Sequence, residues 1–172
     1  MKIKFCPTYN DAKNWKGKIE REYRLSHVEI QKLQTEILER DKNKCQYCDF
    51  EGEKYQTINH IDGDTQNNAK SNLATVCPMC KLVLNTDYGC NIEGIVWLYT
   101  SANVSQKKII QITRQLRIEG KTDDQIIRHL GLRNKVPYKR DRTYLERLFG
   151  FVSSWKGSLG HAEEALQYGY EA

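Results

Sequence analysis

KCQYCDFEGEKYQTINHIDGDTQNNAKSNLATVCPMCK, residues 44–81, carries two Cys-x-x-Cys turns, Cys45/Cys48 and Cys77/Cys80, with 28 residues between them. A Cys-x-x-Cys turn aims two sulfurs at one point. Two such turns furnish the four soft donors of a closed tetrahedral zinc site, with Zn–S distances of about 2.3 Å. The competing readings are four unrelated thiols or a redox pair. A redox motif needs one Cys-x-x-Cys inside a βαβ unit rather than two in register, so it fits less well. Disulfides fit less well again, because no signal peptide is recognised at the start of the chain and a reducing cytosol keeps thiols free. Four thiolates fill the shell of a zinc ion and leave no place for water or substrate. Cys45, Cys48, Cys77 and Cys80 therefore predict a structural Zn2+ centre.

Between the two turns lie Asn59-His60-Ile61-Asp62-Gly63-Asp64, then Asn67-Asn68, then Ser71-Asn72-Leu73. This pattern resembles the HNH (ββα-metal, treble-clef-like) nuclease core, in which a His ends the first strand of a hairpin, an Asn-Leu pair follows, and a last His or Asn sits directly after the second knuckle. The resemblance implies that His60 is a general base activating water and that Asn72 braces the hairpin. Two positions depart from the pattern. Asn59 stands where the family has an Asp or His ligand for the catalytic metal, and Lys81 stands where the final His or Asn would bind it. A protonated Lys has no lone pair and repels a cation, so these two positions are degenerate. Asp62 and Asp64 offer hard oxygens that could take Mg2+ instead. An Asp-Gly-Asp turn between strand and loop is the reading that local chemistry favours.

Length and charge set the frame. The 172 residues can bury a core as one domain with an appendage. Hydrophobic residues make up 39% and charged residues 28%, and no apolar run approaches the ~18 residues of a membrane helix, so a soluble, cytoplasmic protein without membrane insertion is expected. The formal charge of +5 is unevenly placed, since residues 105–148 hold twelve Lys or Arg against five Asp or Glu. That asymmetry points to an anionic partner, nucleic acid or an acidic protein surface, or to a well-solvated helical face. Lys135, Lys139, Arg140 and Arg142 are the candidate contacts to an anion or to DNA.

Working outward, Ser26 and Glu29 form a capping box for a helix over about 27–40, with Ile30, Leu33 and Ile37 facing inward and Val28 and Leu38 flanking. Residues 55–59 alternate as a strand ending at His60, and Pro78 opens a helix over about 79–84. Residues 95–99, Ile-Val-Trp-Leu-Tyr, read as a buried strand. From Ser105 a helical period places Ile109, Ile112 and Leu116 on one face and ends at Gly120. Thr122 and Gln125 then cap a second helix stopped by Gly131. The pair has the outline of a helix-turn-helix, a weak signal that any two amphipathic helices produce. A third helix is expected over about 141–149, and another over about 161–168. Residues 1–24 read as an arm with a short strand at 2–5, the lone Cys6 and Trp15, and Trp155, Tyr168 and Tyr170 close the chain. The expected class is α+β. It comprises an N-terminal arm (1–25), a four-cysteine zinc domain (26–104) of HNH type with flanking helices, and a basic helical C-terminal extension (105–172).

The run ERDKNKCQYCDF, then YQTINHIDGDTQNNAKSNLATVCPMC, then IVWLY, also resembles the IcmJ/DotN family of type IVB (Dot/Icm) secretion systems. That resemblance implies a zinc-stabilised, HNH-derived scaffold whose nuclease chemistry is lost, with a helical segment of a coupling ATPase as partner. Three functions compete at this stage: an interaction module, a Mg2+-dependent HNH endonuclease using His60, and a zinc-dependent nucleic-acid binder without chemistry.

Overall fold

The computed structural model describes residues 26–154, apart from 53, 88 and 91–93. The arm at 1–25, with Cys6 and Trp15, and everything expected from Trp155 onward lie outside the described residues.

The first helix, α1 (His27–Arg40), starts as its capping box requires: Ser26 accepts from the Glu29 N–H while the Glu29 carboxylate accepts from the Ser26 N–H at 2.7 Å. Its inward face is shorter than the periodicity predicts. Ile37 is buried, but Ile30 is 44% and Val28 72% exposed. Only the C-terminal half is drawn against the hairpin, because that is where the polar anchors sit. Arg40 donates to the carbonyls of Lys70 and Leu73, and Asp41 accepts from the Thr75 N–H.

The hairpin pairs β1 (Thr57–His60) with β2 (Leu73–Val76) in antiparallel register, Asn59 opposite Ala74 and His60 opposite Leu73. All four residues of β2 are buried. Helix α2 (Pro78–Leu84) follows at once, with Cys77 as its N-cap and Pro78 in the first turn, where a missing N–H costs nothing.

The rest of the described chain is mixed rather than helical. Strand β3 (Val96–Ser101) lies at the centre of a three-stranded antiparallel sheet, between β4 (Arg133–Val136) and β5 (Phe149–Val152). Helices α3 (Gln106–Ile118) and α4 (Asp123–Leu130) connect β3 to β4. Ser105 caps α3, while α4 starts and stops as expected, with Thr122 and Gln125 forming the second capping box and Gly131 closing the helix at φ 63°. A Cβ there would strike the Asn103 side chain as well as strain the backbone.

The sequence predicts a helical extension over 105–172, and two segments of it are instead strands. The helix expected over about 141–149 shrinks to one turn, α5 (Arg142–Leu145), capped by Asp141. Phe149-Gly-Phe-Val then pairs with β3, Trp97 opposite Phe151. Both edges flank a strand from the other side of residue 104, so one core joins the two parts. Val96, Leu98, Ile110, Leu145, Leu148 and Val152 pack with the knuckle cysteines and with Val76, Met79 and Val83. A second cluster, Tyr99, Ile109, Ile126, Leu130, Leu132 and Phe151, fills the space between α3, α4 and the sheet.

Candidate metal centre and the hairpin mouth

The first knuckle is a turn built on left-handed backbone. After Cys48 the chain passes Asp49 at φ 63°, the Asp49 N–H donates to the Cys45 carbonyl at 2.9 Å, and the Cys45 N–H donates to Phe50 O at 2.8 Å. The Gln46 N–H donates to Thr75 O, tying the turn to β2. The second knuckle is the N-terminus of α2, where the Lys81 N–H donates to the Cys77 carbonyl.

These two turns bring Cys45, Cys48, Cys77 and Cys80 together, all buried, with their sulfurs within 4.8 Å of one another and Cys48 Sγ 3.6 Å from Cys77 Sγ. Sulfurs around a tetrahedral zinc ion lie about 3.8 Å apart by geometry. Four sulfurs this close can all ionise only where positive charge offsets them. Hydrogen bonds from Cys48, Cys77 and Cys80 hold the Cys45 thiol down, while contacts with Cys45 and Cys48 push Cys77 and Cys80 up. A divalent ion removes that conflict by turning every thiol into a thiolate ligand. The donor set therefore fits a metal ion, and four thiolates in tetrahedral reach are the chemistry of zinc. Cys90 is not part of this cluster, and burial pushes its thiol up to about 12.

The hairpin mouth is built differently. His60 ends β1, and its Nε2 lies 3.0 Å from the Asn68 side-chain oxygen. An amide oxygen only accepts, so Nε2–H is the donor in this contact. Asn72 braces the loop, accepting from the Asp62 N–H and donating to Asp62 Oδ1 and to the Asn67 carbonyl. Asp62 also accepts from the Asp64 N–H and the Asn67 amide, and these hydrogen bonds, Asn72 foremost, hold its carboxyl below the usual range. With Gly63 at φ 84°, the Asp-Gly-Asp segment is a turn knitted by its own side chains.

Asn59 and Lys81 face one another. Buried Asn59 donates to the Tyr47 hydroxyl at 3.2 Å and to the His60 carbonyl at 3.0 Å. Lys81 Nζ donates to the Ile58 carbonyl at 2.8 Å and reaches Asn59 Oδ1 at 3.5 Å. Burial pushes the Lys81 amine down to about 8.

Residues 45–82 match the family described as HNH endonuclease. Over 47 residues the chain is 45% identical to the Type 4 apparatus protein DotN of Legionella pneumophila, a match covering 27% of this chain and 22% of that protein's length. Residues 45–82 are thus HNH-like, and the chain is similar to DotN over a stretch of 47 residues, about a fifth of that protein's length. In this HNH-like stretch the pairing of β1 with β2 and the following α2 supply the ββα unit, and the two knuckles clamp its base.

The basic residues form a separate feature of the surface. Lys135, Lys139, Arg140 and Arg142 are exposed on β4 and the turn into α5. Lys135 Nζ stands 3.5 Å from the Trp97 ring centroid, Lys139 lies over Tyr144, and Arg142 pairs with Glu146. Among the described residues, no helix is long and apolar enough to cross a membrane.

Sequence reasoning missed one group of residues beside the HNH-like stretch. Helix α3 turns Lys107, Gln111 and Arg114 toward the first knuckle: Lys107 pairs with Asp49, Gln111 donates to the Cys48 carbonyl at 2.8 Å, and Arg114 reaches the sulfurs of Cys48 and Cys77. Their only trace in the sequence is polar side chains at helical spacing, which any solvated face also shows.

Proposed function

We propose that the chain is a non-catalytic, zinc-knuckled HNH scaffold that binds protein partners in a type IV secretion apparatus. The observation that carries this reading is the Lys81 ammonium donating to Ile58 O beside Asn59. It occupies the place where a nuclease of this fold would gather ligands for its reactive cation, and it brings a positive charge of its own. Asn59, for its part, spends its amide donors on Tyr47 and His60. The likeness to DotN, by name an apparatus protein, supports the protein-binding role. In this reading the protein is cytoplasmic, Cys45, Cys48, Cys77 and Cys80 hold Zn2+, and the partner is a helical segment of the coupling ATPase.

The test is a plasmid-cleavage assay with Mg2+, Mn2+ and Ni2+, comparing wild type with His60→Ala. Neither protein should nick the plasmid. Reproducible nicking by wild type that disappears in His60→Ala would replace this reading with an HNH endonuclease, in which Mg2+ stabilises the leaving oxygen, His60 takes the proton and Asn72 braces the site. A DNA-binding role for Lys135, Lys139, Arg140 and Arg142 would show itself as affinity falling steeply with added salt.

A further inference from the structure

Arg114 sits on α3, 66 residues beyond Cys48 and 37 beyond Cys77, yet its guanidinium ends on the metal knuckles. Nη2 lies 3.2 Å from Cys77 Sγ, Nη1 lies 3.8 Å from Cys48 Sγ, and the guanidinium carbon stands 3.7 Å from the centroid of the Phe50 ring. The two sulfurs belong to different knuckles and are 3.6 Å apart, a separation that one planar fork can span. Phe50 holds the fork from its face, in the geometry of a cation–π pair. One and two turns earlier, Gln111 donates to the Cys48 carbonyl and Lys107 pairs with Asp49, so residues at i, i+4 and i+7 of one helix meet consecutive residues of the first knuckle.

Four thiolates around a divalent ion carry excess negative charge inside a buried cluster, and a buried charge persists only when it is compensated. Among the described residues, Arg114 is the cation whose hydrogen bonds end on these sulfurs. Arginine suits the task, because it stays charged at any accessible pH and its donors are fixed in one plane. Hydrogen bonds to a metal-bound thiolate withdraw electron density from sulfur, which makes it a poorer nucleophile while leaving it a ligand.

We propose that Arg114 is the positioning residue of the metal centre: it bridges the two knuckles from outside, offsets the charge of the bound tetrathiolate, and shields Cys48 and Cys77 from electrophiles. The consequence for the fold is a coupling. Metal occupancy sets the charge that holds α3 in place, and α3 in turn sets the retention of the metal.

The test uses the full chain loaded with Co2+, whose sulfur-to-metal charge-transfer band reports thiolate donation, and with Zn2+ in parallel. Arg114→Met keeps the apolar stem and removes the charge and the fork, Arg114→Lys keeps the charge alone, and Gln111→Leu removes a neighbouring knuckle bond while leaving the sulfurs untouched. Arg114→Met should lose roughly 10- to 100-fold in metal affinity in chelator competition, the usual scale for outer-shell partners. Its metal-bound thiolates should also be alkylated faster by iodoacetamide. Arg114→Lys should fall between, with its cobalt band displaced to lower energy, and Gln111→Leu, which leaves the sulfurs untouched, should keep the wild-type band. Should Arg114→Met fail to fold, the band position and alkylation rate of Arg114→Lys decide alone. Wild-type affinity, band and alkylation rate in the Arg114 variants, with only their melting temperature lowered, would reduce Arg114 to packing and overturn the proposal. A wild-type chain that shows no cobalt band would instead overturn the reading of the knuckles themselves.

Discussion

One ββα unit carries two polar clusters, the knuckle sulfurs and the Asn59–Lys81 pair, and they are finished in opposite ways. At its base, four buried sulfurs converge within 4.8 Å, a soft donor set that fits a metal ion. At the mouth of the hairpin, the positive charge is built into the chain as Lys81 Nζ, 2.8 Å from Ile58 O. In the proposed reading, the first place takes an ion from solution and the second excludes one. The difference teaches that demand for a metal is read from what the donors leave unbalanced, not from the outline of a motif. Both places sit within one stretch that matches HNH endonucleases, and only one keeps a donor set that a divalent ion would complete.

The largest effect expected on this contrast is that of removing the knuckle ion. Structural zinc contributes on the order of 10–16 kcal/mol in small zinc-binding peptides. The core around Val76, Met79 and Val83 is organised about the cysteines. Exhaustive chelation, or Cys77→Ser, should therefore abolish the cooperative melting of this region and expose apolar surface to a fluorescent dye. Acid should act in the same direction, because protons compete with the metal for thiolates. Unchanged melting after chelation would erase the distinction between the two places.

Asp41→Asn comes next in size. Burial pushes this carboxyl up, and hydrogen bonds from Arg40 and from Thr75 outweigh it, so its pKa lies below the ordinary 3.8. It accepts from the Thr75 N–H and so ties α1 to the strand that leads into the second knuckle. Loss of a charged acceptor at such a place costs about 1.5–3 kcal/mol. A depressed carboxylate contributes its stability above its unfolded pKa and loses it as pH falls through the folded one. The gap between wild type and variant in urea midpoints should thus stay flat from about pH 8 to 5. A gap that opens or closes across that window would assign the effect to another group.

Asn72→Ala should cost less, about 1–2 kcal/mol, because its hydrogen bonds hold an exposed loop. It should leave the metal content of the knuckles unchanged. Metal loss in this variant would mean that the hairpin mouth and the base are not separable.

These sizes track what the sequence makes legible. The knuckles, both capping boxes, the helix opened by Pro78 and the strand ending at His60 are readable because each is a local signal, a spacing, an alternation or a capping residue. The partner strand β2 follows only from the HNH resemblance. What stays hidden depends on distant partners. Arg133-Asn-Lys-Val has no apolar alternation and is a strand only because β3 offers an edge to it. Phe149 taken alone reads as the end of a helix and nothing marks the residues up to Val152 as a strand, yet β3 claims all four on its other side. Ile30 keeps the right period in α1 and is exposed, since the hairpin covers only the end anchored by Arg40 and Asp41. Arg114 is one of several polar residues in an amphipathic helix, and nothing within its own turn announces a sulfur partner.

The smallest expected effect is the one that tests the second place most directly. Lys81→Met removes the ammonium that donates to Ile58 O and reaches Asn59 Oδ1. Two acceptors then lose their donor, a cost of about 1–3 kcal/mol. Against that, the variant no longer has to keep an amine in a site whose burial already pushes it down to about 8, and desolvating a charge is itself costly. The two terms nearly cancel, so stability should stay within about 1 kcal/mol of wild type. Millimolar Mg2+ or Mn2+ should raise the melting temperature of neither protein, because an ion stabilises a fold only as far as it binds the folded form. If Mn2+ stabilises wild type, the mouth of the hairpin accepts a divalent ion despite Lys81, and the contrast between the two places fails. If it stabilises Lys81→Met alone, the contrast is sharpened, since the amine is then what keeps the ion out.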